Sequence, residues 1–206
     1  MSDTRNSEVP LTGIALGAVA LALVVLFAVF LPKATRDDSA DASPITLPKT
    51  LPGGYTSAAV PAAWKGNTGV AGKEDQIAEQ VQSELDFGDA QLKKTTGGSF
   101  GNAIYLKGGG QSIYFVQAFR AAGGAVSPGE ISDPSKLQQG SSVDQLTTVG
   151  DATCIVTGSV AAGGQVQPAQ TKCQQSEGEL TVQVSAPSVA ASDVAKVAAL
   201  VLDQIR

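Results

Sequence analysis

Cys154 and Cys173 are the two thiols of this 206-residue chain, and Gly163-Gly164 lies midway between them. If those glycines form a two-residue hairpin turn, which they can because positive φ costs glycine little, facing residues carry numbers that sum to 327. The cysteine numbers sum to 327, so the two face one another across neighbouring strands at a separation that a disulfide closes. Closing a loop of about 20 residues stabilises a folded chain by roughly 3 kcal/mol on the chain-entropy model. The spacing is far from the Cys-x-x-Cys of thiol–disulfide exchange enzymes, so the pair reads as a structural staple and not as a redox couple. Plain alternation from the turn puts the cysteines at a hydrogen-bonded position, and Pro168 marks where an irregularity would alter that register.

The other reactive side chains argue mostly by exclusion. The chain has no histidine, which removes Ser-His and Cys-His activation, histidine general-base work and nearly all zinc sites from this chain by itself. Glu84, Asp86 and Asp89 are close in sequence but lack the ligand spacing and fixed glycine of a calcium loop, so they read as a solvated helix end. Ser135 and Lys136 are adjacent, whereas a serine–lysine pair on one helical face needs Ser-x-x-Lys. The glycines around 97–101 and at 108–110 lack the lysine and helix of a phosphate loop and read as turns. A carboxylate-dependent hydrolase would have to draw on Glu130 or Asp133 in the long polar segment 126–150, with loop position as the sole warrant. No catalytic residue, cofactor or metal site follows from the sequence. Tyr55 and Trp64 are the candidate partner contacts, because aromatic side chains often anchor interfaces, although both also suit packing on a core.

The elements that would position these groups follow from periodicity. An amphipathic helix is expected from about Lys73 to Phe87, with Ile77, Val81 and Leu85 on one stripe and Gly88 at its end. Residues 102–107 and 111–119 read as a hairpin through Gly108-Gly109-Gly110, and both faces of its second strand carry apolar residues, which marks a central strand. Further strands are expected at 152–160 and 180–185, the latter alternating Leu180, Val182 and Val184 against Thr181, Gln183 and Ser185. A closing helix from about Ser192 to Ile205 offers Val194, Val197, Val201 and Ile205 to the core. The fold class is α+β: an antiparallel sheet of about five strands packed on one side by two helices.

Between Glu8 and Lys33 lie 24 residues without a charge. A helix over 10–32 would span roughly 33 Å or slightly more, matching a hydrocarbon core of about 30 Å. Pro10 suits its first turn, and Pro32 with Lys33 supplies a stop and an anchor. Ala40-Asp41-Ala42 offers a signal-peptidase pattern, but it lies beyond Lys33, Arg36, Asp37 and Asp38, so an uncleaved anchor is the reading preferred. Arg5 and the amino terminus balance Lys33 and Arg36 in the count that governs topology. The cysteines break the tie, because a disulfide persists outside the cytosol. Gly13 and Gly17 form a Gly-x-x-x-Gly pattern that would allow weak helix pairing. The expected order is a cytoplasmic tail (1–9), a transmembrane helix (10–32), an extended Pro-rich linker (33–64) and an extracytoplasmic domain (65–206). Within the linker, the less polar stretch 45–55 either docks on the domain or serves as a short binding motif.

A short polar N-terminus, one span, a Pro-rich linker with Leu-Pro-Gly-Gly-Tyr and an Ala/Gly/Val-rich outer domain with one cysteine pair make up this layout. In layout and composition it resembles uncharacterised single-pass envelope proteins of high-GC Gram-positive bacteria. The resemblance implies location at the cell membrane and no particular activity. A net charge of −5 leaves no basic footprint for nucleic acid or for anionic lipid headgroups. The expectation is a membrane-anchored extracytoplasmic module, more a binder of a partner protein or envelope ligand than an enzyme. The alternative is an accessory subunit of a membrane assembly.

Overall fold

A computed structural model describes residues 44–96, 99–120 and 131–206. The expected span at 10–32, the Gly13 and Gly17 pair, the Ala40-Asp41-Ala42 pattern and Glu130 lie outside the described residues. Among the described residues no helix is long and apolar enough to cross a membrane.

The fold is α+β, built on one antiparallel sheet of eight strands: β1 (Thr50–Leu51), β2 (Tyr55–Ser57), β3 (Phe100–Lys107), β4 (Ser112–Arg120), β5 (Ser142–Val149), β6 (Ala152–Val160), β7 (Val166–Glu177) and β8 (Leu180–Pro187). Their order is β1-β2-β3-β4-β8-β7-β6-β5, so two meanders meet where β4 pairs with β8. The sequence reading of about five strands is therefore corrected to eight. β1 and β2 are too short to show a period, and in β5 the neighbouring polar residues Asp144 and Gln145 break the alternation.

Among the described residues two α-helices accompany the sheet, α1 (Glu74–Thr96) and α2 (Ala191–Ile205). They pack on opposite faces of the sheet, not on one side as expected. In β3 and β4, Tyr105 pairs with Tyr114 while the next pair is Leu106 with Ile113, and successive pairs point to opposite faces. Tyr105 and Tyr114 share a core with Val116, Val182, Val184 and the α2 stripe Val194, Val197 and Val201. Leu106 belongs to a second cluster, in which Ile104, Ile113, Trp64 and Val81 of α1 pack together. α1 also runs two turns past its expected end at Phe87. Leu92 and the bond from Asn102 to Asp89 hold the continuation, and Lys93 and Lys94 suit a helix C-terminus.

The stretch read as linker joins the sheet from Thr50 onward. Ile45 and Leu47 pack on the main core, Tyr105 donates its hydroxyl to Pro48 O at 2.7 Å, and Ser57 N donates to Lys49 O at 2.8 Å. This strap crosses β3 at Gly101, where a Cβ would stand 2.9 Å from Ile45 O, so the crossing needs glycine.

The disulfide between Cys154 and Cys173 is present, with both residues fully buried. Its register arises differently from the two-glycine turn. The loop is residues 161–165, closed by Ala161 N donating to Gln165 O at 2.7 Å, and the first pairs, Val160 with Val166 through Gly158 with Pro168, sum to 326. A bulge then adds Ala169 to β7, so that from Thr157 with Gln170 onward the pairs sum to 327. The half-residue shift of the turn and the extra residue of the bulge cancel in the pairing but change the hydrogen-bond phase. The cysteine Cα atoms stand 4.0 Å apart, matching the close, non-hydrogen-bonded class.

Candidate functional site

Helical spacing places Glu84, Leu85, Gly88 and Leu92 of α1 along one side of that helix, facing the sheet. Across from them two rows of side chains run over the strands. Register aligns Ile104, Phe115, Ser185 and Lys172 in one row, and Asn102, Gln117, Gln183 and Gln174 in the next. Helix and sheet enclose a cleft of about 580 Å³, within the range of small-ligand sites. Its lining mixes Leu85, Leu92, Ile104 and Phe115 with Asn102, Gln117, Gln170, Gln183 and Ser185, and its charged residues are Glu84 and Lys172. Phe115 is 46% exposed, unusual for a phenylalanine on a central strand.

Hydrogen bonds fix several of these groups. Gln183 Nε2 donates to Gln174 Oε1 at 2.8 Å, which holds the second row flat. Asn102 Nδ2 donates to Asp89 Oδ1 and ties β3 to α1, while Asn102 Oδ1 is buried without a partner. Burial pushes the Asp89 carboxyl above its ordinary pKa, the Asn102 bonds pull it down, and the like charge of Asp86 adds to the rise.

The residues singled out in the sequence do not converge on this cleft. Tyr55 is 1% exposed, its ring edge-on to Tyr114 at 5.3 Å with the Lys107 ammonium 4.8 Å above it. A ring so buried offers no surface to a partner. Trp64 is half-buried in the second cluster and donates Nε1–H to Ala58 O at 2.8 Å, which ties the start of the domain to itself. The disulfide lies on the α2 face, away from the cleft. Glu84 is on the cleft rim, Asp86 accepts from Gln82 along the helix, and Asp89 is bound to Asn102. Among the described residues no three His, Cys, Asp or Glu side chains are grouped to hold a metal. Asp133 accepts from Ser135 N at 3.0 Å and Oγ at 2.7 Å, which holds its carboxyl below the usual range as the cap of a short 3-10 turn at Pro134–Lys136. The cleft residues Phe115, Gln117, Lys172 and Gln183 were not singled out. The signal for Gln183 and Ser185 was the polar half of the alternation in 180–185, which says that one face of that strand is uncovered but not what stands opposite.

No protein-family model matches the chain, and no curated protein or solved structure is found similar to it.

Proposed function

We propose that this protein is a membrane-anchored extracytoplasmic binding module whose cleft between α1 and the sheet takes a partner protein or an envelope ligand. The cleft carries the reading: it joins an exposed aromatic ring to several amides and the Ser185 hydroxyl, groups that bind and orient a ligand. The buried disulfide agrees with a domain that folds in an oxidising compartment. The anchor is the uncharged stretch 10–32. With the strap from Pro44 docked on the domain, the spacer is residues 33–43, which fully extended would reach about 40 Å at most.

A photo-crosslinking residue at Gln117, compared with one at exposed Glu179 in the β7–β8 turn, tests the reading in native membranes. The expected result is a discrete adduct from position 117 that Phe115→Ala removes. Equal or absent labelling from both positions would defeat the proposal.

A further inference from the structure

The composition of the cleft narrows what it accepts, on the reading above that it is a binding site. Its two charged side chains, Glu84 and Lys172, are of opposite sign, so the lining is neutral overall and complements an uncharged ligand better than a phosphate or a carboxylate. Gln117, Gln170 and Gln183 present amides, each able to donate and accept, and Ser185 adds a hydroxyl. Gln117 and Gln170 are exposed; Gln117 follows Phe115, itself 46% exposed, by two residues on the same strand face, and Gln170 lines the cleft from β7, two strands away. A lipid chain would strip water from this polar floor without replacing its hydrogen bonds. A ligand that offers hydroxyl groups at its edges and an apolar C–H face suits both halves of the lining. Sugar rings have that form.

We infer that the cleft binds a neutral glycan, with one sugar ring lying on Phe115 and its hydroxyls bonded to the glutamine amides and Ser185. α2 takes no part, since it serves the opposite face. Phe115 supplies a platform and the amides supply orientation, so truncating the ring removes affinity while leaving the α2 core intact.

The test uses the full chain in lipid nanodiscs, because glycoside detergents carry competing sugars. Chitotriose, mannotriose, cellotriose and maltotriose are titrated by calorimetry against the natural chain, Phe115→Ala and Gln170→Ala, with melting curves to establish that each variant is folded. The expected result is saturable binding of at least one trisaccharide with Kd below ~1 mM, weakened about tenfold or more by Phe115→Ala, a loss of ~1.4 kcal/mol. Binding of none of the four below ~10 mM, or binding that folded Phe115→Ala leaves unchanged, overturns the inference. If sugars fail while the crosslink from position 117 persists, the glycan assignment alone falls. If both fail, the binding-module reading falls with it.

Discussion

Asp89 shows how one side chain couples the cleft to stability. Its folded-state pKa lies above the ordinary carboxylate value, mainly through burial, so the protonated form is the one the fold favours. Its contribution to stability is full below the unfolded-state pKa, about 4, and is lost as pH rises through the raised value. Asp89→Asn keeps an oxygen acceptor for Asn102 and removes the charge. Thermal melts should therefore show the variant above the natural chain at pH 7, with the gap closing as pH falls through the raised value and fully closed below about 4. A gap that stays constant over that range would remove the burial account. Tyr105 is a contrasting case, since burial raises its phenol and the hydroxyl is fully used in binding Pro48 O. The acidic trio was legible as a helix surface, but only the packing of α1 on β3 separates Asp89 from its neighbours.

At the scale of elements, the β6–β7 hairpin depends on a bulge that only glycine permits opposite it. A Cβ on Gly158 would lie 2.1 Å from Gln167 O, a clash with backbone and not with a yielding side chain. Gly158→Val should cost about 2 kcal/mol or more in urea unfolding, by forcing the bulge to move. An unchanged unfolding midpoint would mean that the hairpin has another register. The pairing of Cys154 with Cys173 was legible from arithmetic on the sequence, whereas the loop of 161–165 and the added Ala169 were not. Two offsets that cancel in a sum leave no trace in spacing. The α2 stripe of Val194, Val197 and Val201 was readable because a helix with one buried face must repeat its apolar residues at that interval.

For the whole molecule, the decisive contact is the strap of residues 44–49 laid over the sheet. Read from composition, residues 33–64 are a linker whose less polar stretch 45–55 either docks on the domain or serves as a short binding motif. In the structure, Ile45, Leu47, Leu51 and Tyr55 complete the main core. Removing residues 1–64 should therefore expose Tyr105 and Tyr114 and give a chain that melts well below one that begins at Pro44, as circular dichroism would show. Equal melting of the two would place the strap outside the cooperative unit. The non-local pairing of β4 with β8 joins two meanders that are each local in sequence, and closing it should make folding slow relative to helical domains of this size.

The sequence by itself determined the α+β class, the disulfide, the central position of β4 and the buried side of α2, because each follows from periodicity or spacing within a short window. Tertiary structure alone decided that the helices lie on opposite faces, that the proline-punctuated stretch belongs to the sheet, and that Phe115 meets a row of amides under α1. Those outcomes depend on which strands become neighbours, and β4 reaches β8 only after some sixty residues of intervening chain. No local pattern carries that choice, since the free energy that settles it comes from surfaces buried between segments distant in sequence.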